Sequence, residues 1–179
     1  MHMVKSYLAG RAIVHFPYRS KTTGKTYNSV ILVLDSGTGK YSLPGGKLDW
    51  SKGDGNTLDT ALRELEEELG LIGDRGSARW VYTFHGNVVT HDVYVVKASG
   101  TLYVDPAEVS GIGFFNAGRH NQIPDRLLER HVKELVSYFR NYRVPIYTSP
   151  VSKIKIPGYY FIGNRDPRIV DWDTQRKSW

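Results

Sequence analysis

The chain has 179 residues, 40% hydrophobic and 23% charged, with 18 Gly and 8 Pro, which suits one globular domain with its own core and excludes a disordered or collagen-like chain. It holds no cysteine, so disulfide frameworks, thiolate metal sites and cysteine nucleophiles are excluded, and any metal must sit on oxygen or imidazole. Lys and Arg number 24 against 18 Asp and Glu, and the net charge of +6 gives a surface that attracts polyanions without naming one.

The start, Met1-His2-Met3-Val4-Lys5-Ser6, lacks the apolar block of a signal peptide. No apolar run reaches the roughly 20 residues that span a bilayer, so a cytoplasmic protein with no membrane partner is expected. Short apolar runs then alternate with turn signals. Strands are predicted over 7–16, 29–34 and 40–43, separated by Ser20-Lys21-Thr22-Thr23-Gly24-Lys25 and Asp35-Ser36-Gly37-Thr38-Gly39. Both separators lead into a Gly-Lys step, but neither has the glycine spacing of a phosphate-binding P-loop, and both read as hairpin turns. Leu43-Pro44-Gly45-Gly46-Lys47-Leu48-Asp49 follows, a turn leaving a strand where bare backbone can approach a metal or a phosphate closely.

Residues 56–71 change period. Leu58, Ala61, Leu62, Leu65 and Leu69 recur at steps of three and four, with Asn56 placed to cap the helix and Gly70 to end it. Further strands are predicted over 79–84, 88–96 and 113–116 from their Val, Thr, Tyr and Phe content. A second helix is predicted over 125–142, where Leu127, Leu128, Val132, Leu135, Val136 and Phe139 share one face after Pro124. Helices between and after strands give an α/β or α+β sandwich. Beyond this the pattern decays into scattered Pro, Lys and Arg, which divides the chain into a domain at 1–143 and a C-terminal extension at 144–179. The extension's aromatics, Trp172 and Trp179 among them, could pack on the body, cover a pocket or bridge a dimer.

The first helix carries the chemistry. At about 100° per residue, Glu64, Glu67 and Glu68 share one arc of about 100°, while Leu58, Leu62, Leu65 and Leu69 cluster beside it and Glu66 points away. Like charges three and four apart cost roughly 0.2–0.5 kcal/mol per pair, and glutamates in the last turn oppose the helix dipole. A divalent cation such as Mg²⁺ would offset both costs. Taken alone, such a helix is an ordinary solvated acidic face; the double-glycine loop just upstream changes that reading.

Loop and helix together resemble the Nudix hydrolase family, whose box reads G-x5-E-x7-R-E-U-x-E-E-x-G-U, with U aliphatic. Arg63, Glu64, Leu65, Glu67, Glu68, Gly70 and Leu71 match every specified position of its second half. The first half departs: the interval from Gly46 to Arg63 is three residues longer than the family's, and Gly55 stands where the box glutamate is expected. Asp54 or Asp49 is the candidate replacement for that carboxylate.

The resemblance implies an α/β/α sandwich with a central mixed β-sheet, and hydrolysis of a nucleoside diphosphate linked to another group X with Mg²⁺ or Mn²⁺ as cofactor. It implies Glu67 and Glu68 as metal ligands, and Glu64 as a further ligand or the group that orients or deprotonates water. Arg63 would hold a glutamate in place, the carbonyl of Gly45 would complete the metal shell, and Gly46 and Lys47 would meet substrate. Glu108, in Asp105-Pro106-Ala107-Glu108, is the candidate for a carboxylate from a later loop. ADP-ribose or another nucleotide sugar, dinucleoside polyphosphates, nucleoside triphosphates and the 5′ end of RNA are the substrate candidates, and a homodimer is among the expected partners. The degenerate first half leaves open a catalytically weak module that binds a nucleotide or RNA. His85, His91, His120 and His131 have no metal-ligand spacing and read as surface or packed residues. Tyr18 and Tyr82 are the aromatics placed nearest the expected cleft.

Overall fold

The computed structural model describes residues 6–19, 26–103, 108–115, 124–141, 154–155 and 169–170. Its strands are β1 (Tyr7–Ile13), β2 (His15–Arg19), β3 (Thr26–Leu34), β4 (Tyr41–Ser42), β5 (Gly45–Lys47), β6 (Ile72–His85), β7 (Val89–Thr101), β8 (Gly111–Phe115), β9 (Ile154–Lys155) and β10 (Ile169–Val170). The helices are α1 (Thr57–Leu69) and α2 (Arg130–Asn141). One sheet runs β5-β1-β7-β6 and the other β10-β8-β3-β2, with β9 added to β7 and β4 to β3. Pairing is mixed: β1 lies parallel to β7 and antiparallel to β5.

The side-chain period of two sorts the strands between the helices. Ala12, Val14, Ile31, Val33, Val96 and Ala98 face α1, where they bury Ala61, Leu65 and Leu69. Their sequence neighbours Ile13, Val30, Leu32, Val93 and Val95 face α2, where they bury Val132 and Leu135. A helix on each side of a mixed β-layer is the α/β/α sandwich expected from the sequence.

α1 is where local signals agree best. The Asn56 side chain accepts the Asp59 N–H at 2.8 Å, and Gly70 closes the helix in the left-handed conformation at φ 67°, its N–H donating to the Glu66 carbonyl. The helix lies directly on β1: a Cβ at Gly10 would stand 1.9 Å from the Thr57 carbonyl oxygen. Gly10 pairs across the sheet with Gly46, so two glycines make the flat seat on which the helix rests.

Five elements differ from the sequence expectation, each through pairing. The predicted 7–16 strand breaks at Val14 into β1 and β2. β6 and β7 are far longer than 79–84 and 88–96 because they zip together along a hairpin, with register shifts between Asp74 and Arg79 and between Trp80 and Tyr82. β5 is a turn by its sequence, and pairing with β1 makes it a strand. The second helix starts at Arg130 rather than 125, because Leu128 bridges Tyr41 and the Glu129 N–H donates to the Tyr41 carbonyl, which holds the chain extended there. The turn at 20–25, Asn116, Tyr142 and the aromatics of the extension lie outside the described residues. Of 144–179 the structure describes β9, parallel to β7 at Gly100 and Thr101, and β10, parallel to β8 at Ile112 and Gly113.

Candidate active site

α1 and the segment before β8 bring three carboxylates together: oxygens of Glu64, Glu67 and Glu108 lie within 4.8 Å of one another. Glu64 can lie flat against β5 only because residue 46 is glycine, since a Cβ there would stand 2.7 Å from Glu64 Oε1. Burial, with Glu67 nearby, pushes the Glu64 carboxyl upward against the pull of Arg63.

Glu68 stands outside this group of three. It is 7% exposed, and its Oε1 accepts the Gly45 N–H at 2.7 Å. The Gly45 amide is thus the group that holds the Glu68 carboxylate. A glycine is needed at 45, where φ is 152° and a Cβ would stand 2.1 Å from the Gly10 carbonyl oxygen. Burial, reinforced by Glu64 and Glu108, pushes the Glu68 carboxyl up to about 8 despite the Gly45 amide and Arg11. Glu66 is exposed, as its place on the helix requires.

Arg63 ties the cluster to the loop before it. Its Nε and Nη2 donate to the two oxygens of Asp54 at 2.9 and 2.8 Å, and its Nη1 donates to Glu64 at 3.2 Å and Glu67 at 3.1 Å. Asp54, 3% exposed, also accepts the Asp49 N–H and the Thr60 hydroxyl. Arg63, with these donors, holds its carboxyl down at about 2. The longer loop explains how Asp54 arrives there. The sequence from Trp50 to Lys52 folds into a 3-10 turn capped by the Asp49 side chain and closed by Gly53 at φ 89°, and the chain emerges with Asp54 facing Arg63. Asp49 is occupied by Ser51, and Gly55 donates its N–H to Asp59.

Glu68 and Glu108 open on a cleft of about 380 Å³ that Arg11, Gly46, Lys47, His91 and His131 also line. Lys47 Nζ lies 4.4 Å from the centre of the Tyr7 ring. Arg11 Nε donates to His91 Nδ1 at 3.3 Å and its Nη1 to the Leu43 carbonyl at 3.0 Å. The rings of His91 and His131 stack with centres 4.8 Å apart. Burial pushes His91 down to about 4 and His131 well below the usual imidazole range, with Arg11 adding to both shifts, so both rings are neutral near pH 7.

Sequence reasoning missed this trio. The available signal was alternation: Arg11 shares a face of β1 with Ile13, and His91 shares a face of β7 with Val93 and Val95, so both were aimed at the interior. Tyr82 belongs to the core instead of the cleft; it is 1% exposed, stacks on Tyr138 and donates its hydroxyl to the His131 carbonyl at 2.6 Å. His85 is exposed, and His120 and the Tyr18 side chain lie outside what the structure describes.

A mixed sandwich whose first helix packs its glutamates against a double-glycine strand, with Glu68 on the cleft and Glu64 and Glu67 beside Glu108, defines a class. The family model described as the NUDIX domain matches residues 10–136, and the chain belongs to that family, a Nudix hydrolase by class. Similar solved structures carry the same fold. A Nudix hydrolase family member from Chromobacterium violaceum is 20% identical over 80% of this chain and 84% of its own, with a TM-score of 0.57. The NUDIX domain of Shewanella oneidensis NrtR, solved with ADP ribose, is 19% identical over 78% and 88%, with a TM-score of 0.58. An ADP-ribose pyrophosphatase from Streptococcus suis is 19% identical over 86% and 100%, with a TM-score of 0.53. No curated protein matches the chain at the same level of significance. Among the described residues no helix is long and apolar enough to cross a membrane.

Proposed function

We propose that this chain is a divalent-metal-dependent pyrophosphohydrolase that cleaves the phosphoanhydride of a nucleoside diphosphate linked to X. The observation that carries the reading is the convergence of Glu64, Glu67 and Glu108 within 4.8 Å beside the cleft. An all-oxygen carboxylate set fits Mg²⁺ or Mn²⁺, and Glu68, one helix position away and short of solvent, fits as a further ligand. When bound, such an ion supplies Lewis-acid charge to phosphate oxygens and acidifies a water.

The chain's own residues do the rest. Thr60 holds Asp54, Asp54 fixes Arg63, and Arg63 fixes the rotamers of Glu64 and Glu67 before substrate arrives. Glu64 orients the attacking water and accepts its proton; the water oxygen bonds to the phosphorus of the nucleoside phosphate as the bridging oxygen leaves with the phosphate that carries X. Gly46 and Lys47 line the approach, with Lys47 placing a cation at the rim. In this reading Asp54 replaces the missing box glutamate.

Two similar structures are named for ADP-ribose, so nucleotide sugars head the candidate substrates, followed by nucleoside triphosphates, dinucleoside polyphosphates and RNA 5′ ends. Cellular nucleotides as substrates are the ground for proposing a cytoplasmic location. The test is a nucleotide panel incubated with Mg²⁺ and with Mn²⁺, with products separated by chromatography. Metal-dependent release of a nucleoside monophosphate supports the enzyme. Gly55 at the box-glutamate position favours the second reading, a domain that senses the nucleotide, and tight binding without release would select it. RNA recognition through the basic extension would be lost on deleting residues 145–179 while small-nucleotide hydrolysis persists, and light scattering tests pairing of two copies.

A further inference from the structure

We propose that Arg11, His91 and His131 form an anion-receiving wall of the cleft, a subsite for phosphoryl oxygens distinct from the glutamates that hold metal. This subsite presupposes the phosphoanhydride chemistry proposed above and adds the side chains that take the substrate's charge directly.

Three separate elements deliver the trio. Arg11 comes from β1, His91 from the neighbouring β7, where it pairs with Ala9, and His131 from the first turn of α2. All three line one cleft. Among the described residues no carboxylate lies within ion-pair distance of Arg11. Its recorded partners are a neutral ring nitrogen and a backbone carbonyl, and Glu68, Glu64, Glu129 and Asp35 act on it from longer range. Burial is the largest influence on the guanidinium.

The ring hydrogens follow from the bonds already made. His91 Nδ1 accepts from Arg11, so a neutral His91 carries its hydrogen on Nε2. His131 Nε2 accepts the Leu43 N–H at 3.1 Å, so its hydrogen sits on Nδ1. Burial keeps both rings neutral near pH 7. Among the described residues these two N–H groups and Nη2 of Arg11 have no acceptor. A cation and two donors that face one cleft with no protein acceptor are matched by a group made only of acceptors and carrying negative charge. Phosphoryl oxygens meet that description. A nucleobase or a sugar hydroxyl brings no charge to set against Arg11. Cation-binding glutamates and anion-binding Arg11 on one cleft also suit a substrate whose phosphates must meet both.

The test uses the full chain in EDTA, with inorganic pyrophosphate as probe and isothermal calorimetry as readout. Arg11→Met should weaken pyrophosphate binding about tenfold or more, Arg11→Lys should recover part of the loss, and His91→Phe, which preserves the ring stack, should weaken it by about threefold. The double variant Glu64→Gln, Glu67→Gln should bind pyrophosphate no more weakly than wild type while losing Mn²⁺ followed by electron paramagnetic resonance. Circular dichroism melting separates loss of binding from loss of fold; if Arg11→Met does not fold, Arg11→Lys and His91→Phe decide. Wild-type protein that ignores pyrophosphate, or Arg11 and His91 variants that bind it as wild type does, overturns the subsite. Failure of wild type to bind Mn²⁺ overturns the metal reading instead, and the two results are independent.

Discussion

Asp54 is the side chain proposed to stand in for the missing box glutamate. It forks onto Arg63, and through Arg63 it reaches Glu64 and Glu67, so its removal should be felt at carboxylates it never touches. Asp54→Ala is expected to destabilise the fold by about 3 kcal/mol, since it removes the two-oxygen partner of a largely buried guanidinium and leaves Nε and Nη2 unpaired, and to lower metal affinity roughly 10–100-fold. Chemical denaturation and Mn²⁺ titration check the two effects. The pH dependence has a definite sign: the Asp54 carboxyl is held at about 2 against an ordinary 3.8, so its stabilisation is complete above pH 3.8 and fades as pH falls toward 2. Glu68 runs the other way. Raised to about 8 from 4.5, it favours the metal-free fold below pH 4.5 and opposes it progressively as pH climbs through 8. Glu68→Gln keeps volume and can still accept the Gly45 N–H, so it should remove most turnover while the metal-free protein at pH 8 melts no lower than wild type. A large drop in melting temperature would contradict that placement.

At the scale of elements, α1 is held by its apolar stripe and by its seat. Leu65 and Leu69 are fully buried, and Leu65→Ala should cost about 2–5 kcal/mol in a urea titration. Gly10→Ala should be worse for the site than for the core, because the added methyl meets the backbone of α1 at Thr57 and must tilt the helix that carries Glu64, Glu67 and Glu68. Reduced Mn²⁺ affinity beside a modest stability loss is the expected signature; unchanged affinity would show that the seat does not set the glutamates. This helix was legible in the sequence from end to end, since cap, stripe, stop signal and charge pattern agree within one short segment. β5 was not legible, because Gly-Gly-Lys has no strand preference of its own and extends only by pairing with β1. The late start of α2 was hidden likewise, being set by a contact between Leu128 and the distant Tyr41.

For the whole molecule, the class of fold and the helical carboxylates of the candidate site could be read from one contiguous stretch, whereas the rest of the cleft comes from residues far apart in the chain. Glu108 could be proposed as an acidic residue before a strand, but its meeting with Glu64 and Glu67 is a product of the fold. Arg11, His91 and His131 carry no spacing signal, since 80 residues separate Arg11 from the histidine it donates to. The one ambiguity that local geometry could address, Asp49 against Asp54, is addressed by the 3-10 turn built from the longer loop, which commits Asp49 to Ser51 and turns Asp54 to Arg63. The net charge of +6 adds a global expectation: rates with highly anionic nucleotides should fall as ionic strength rises, and a salt series of kcat/KM measures it. The most direct measurement of all compares wild type with Glu67→Gln on the nucleotide panel, with Mg²⁺ and with EDTA. The account predicts nucleoside monophosphate release by wild type only with the metal, and a rate lower by about 100-fold in the variant; release that survives EDTA, or equal rates in the two proteins, would contradict it.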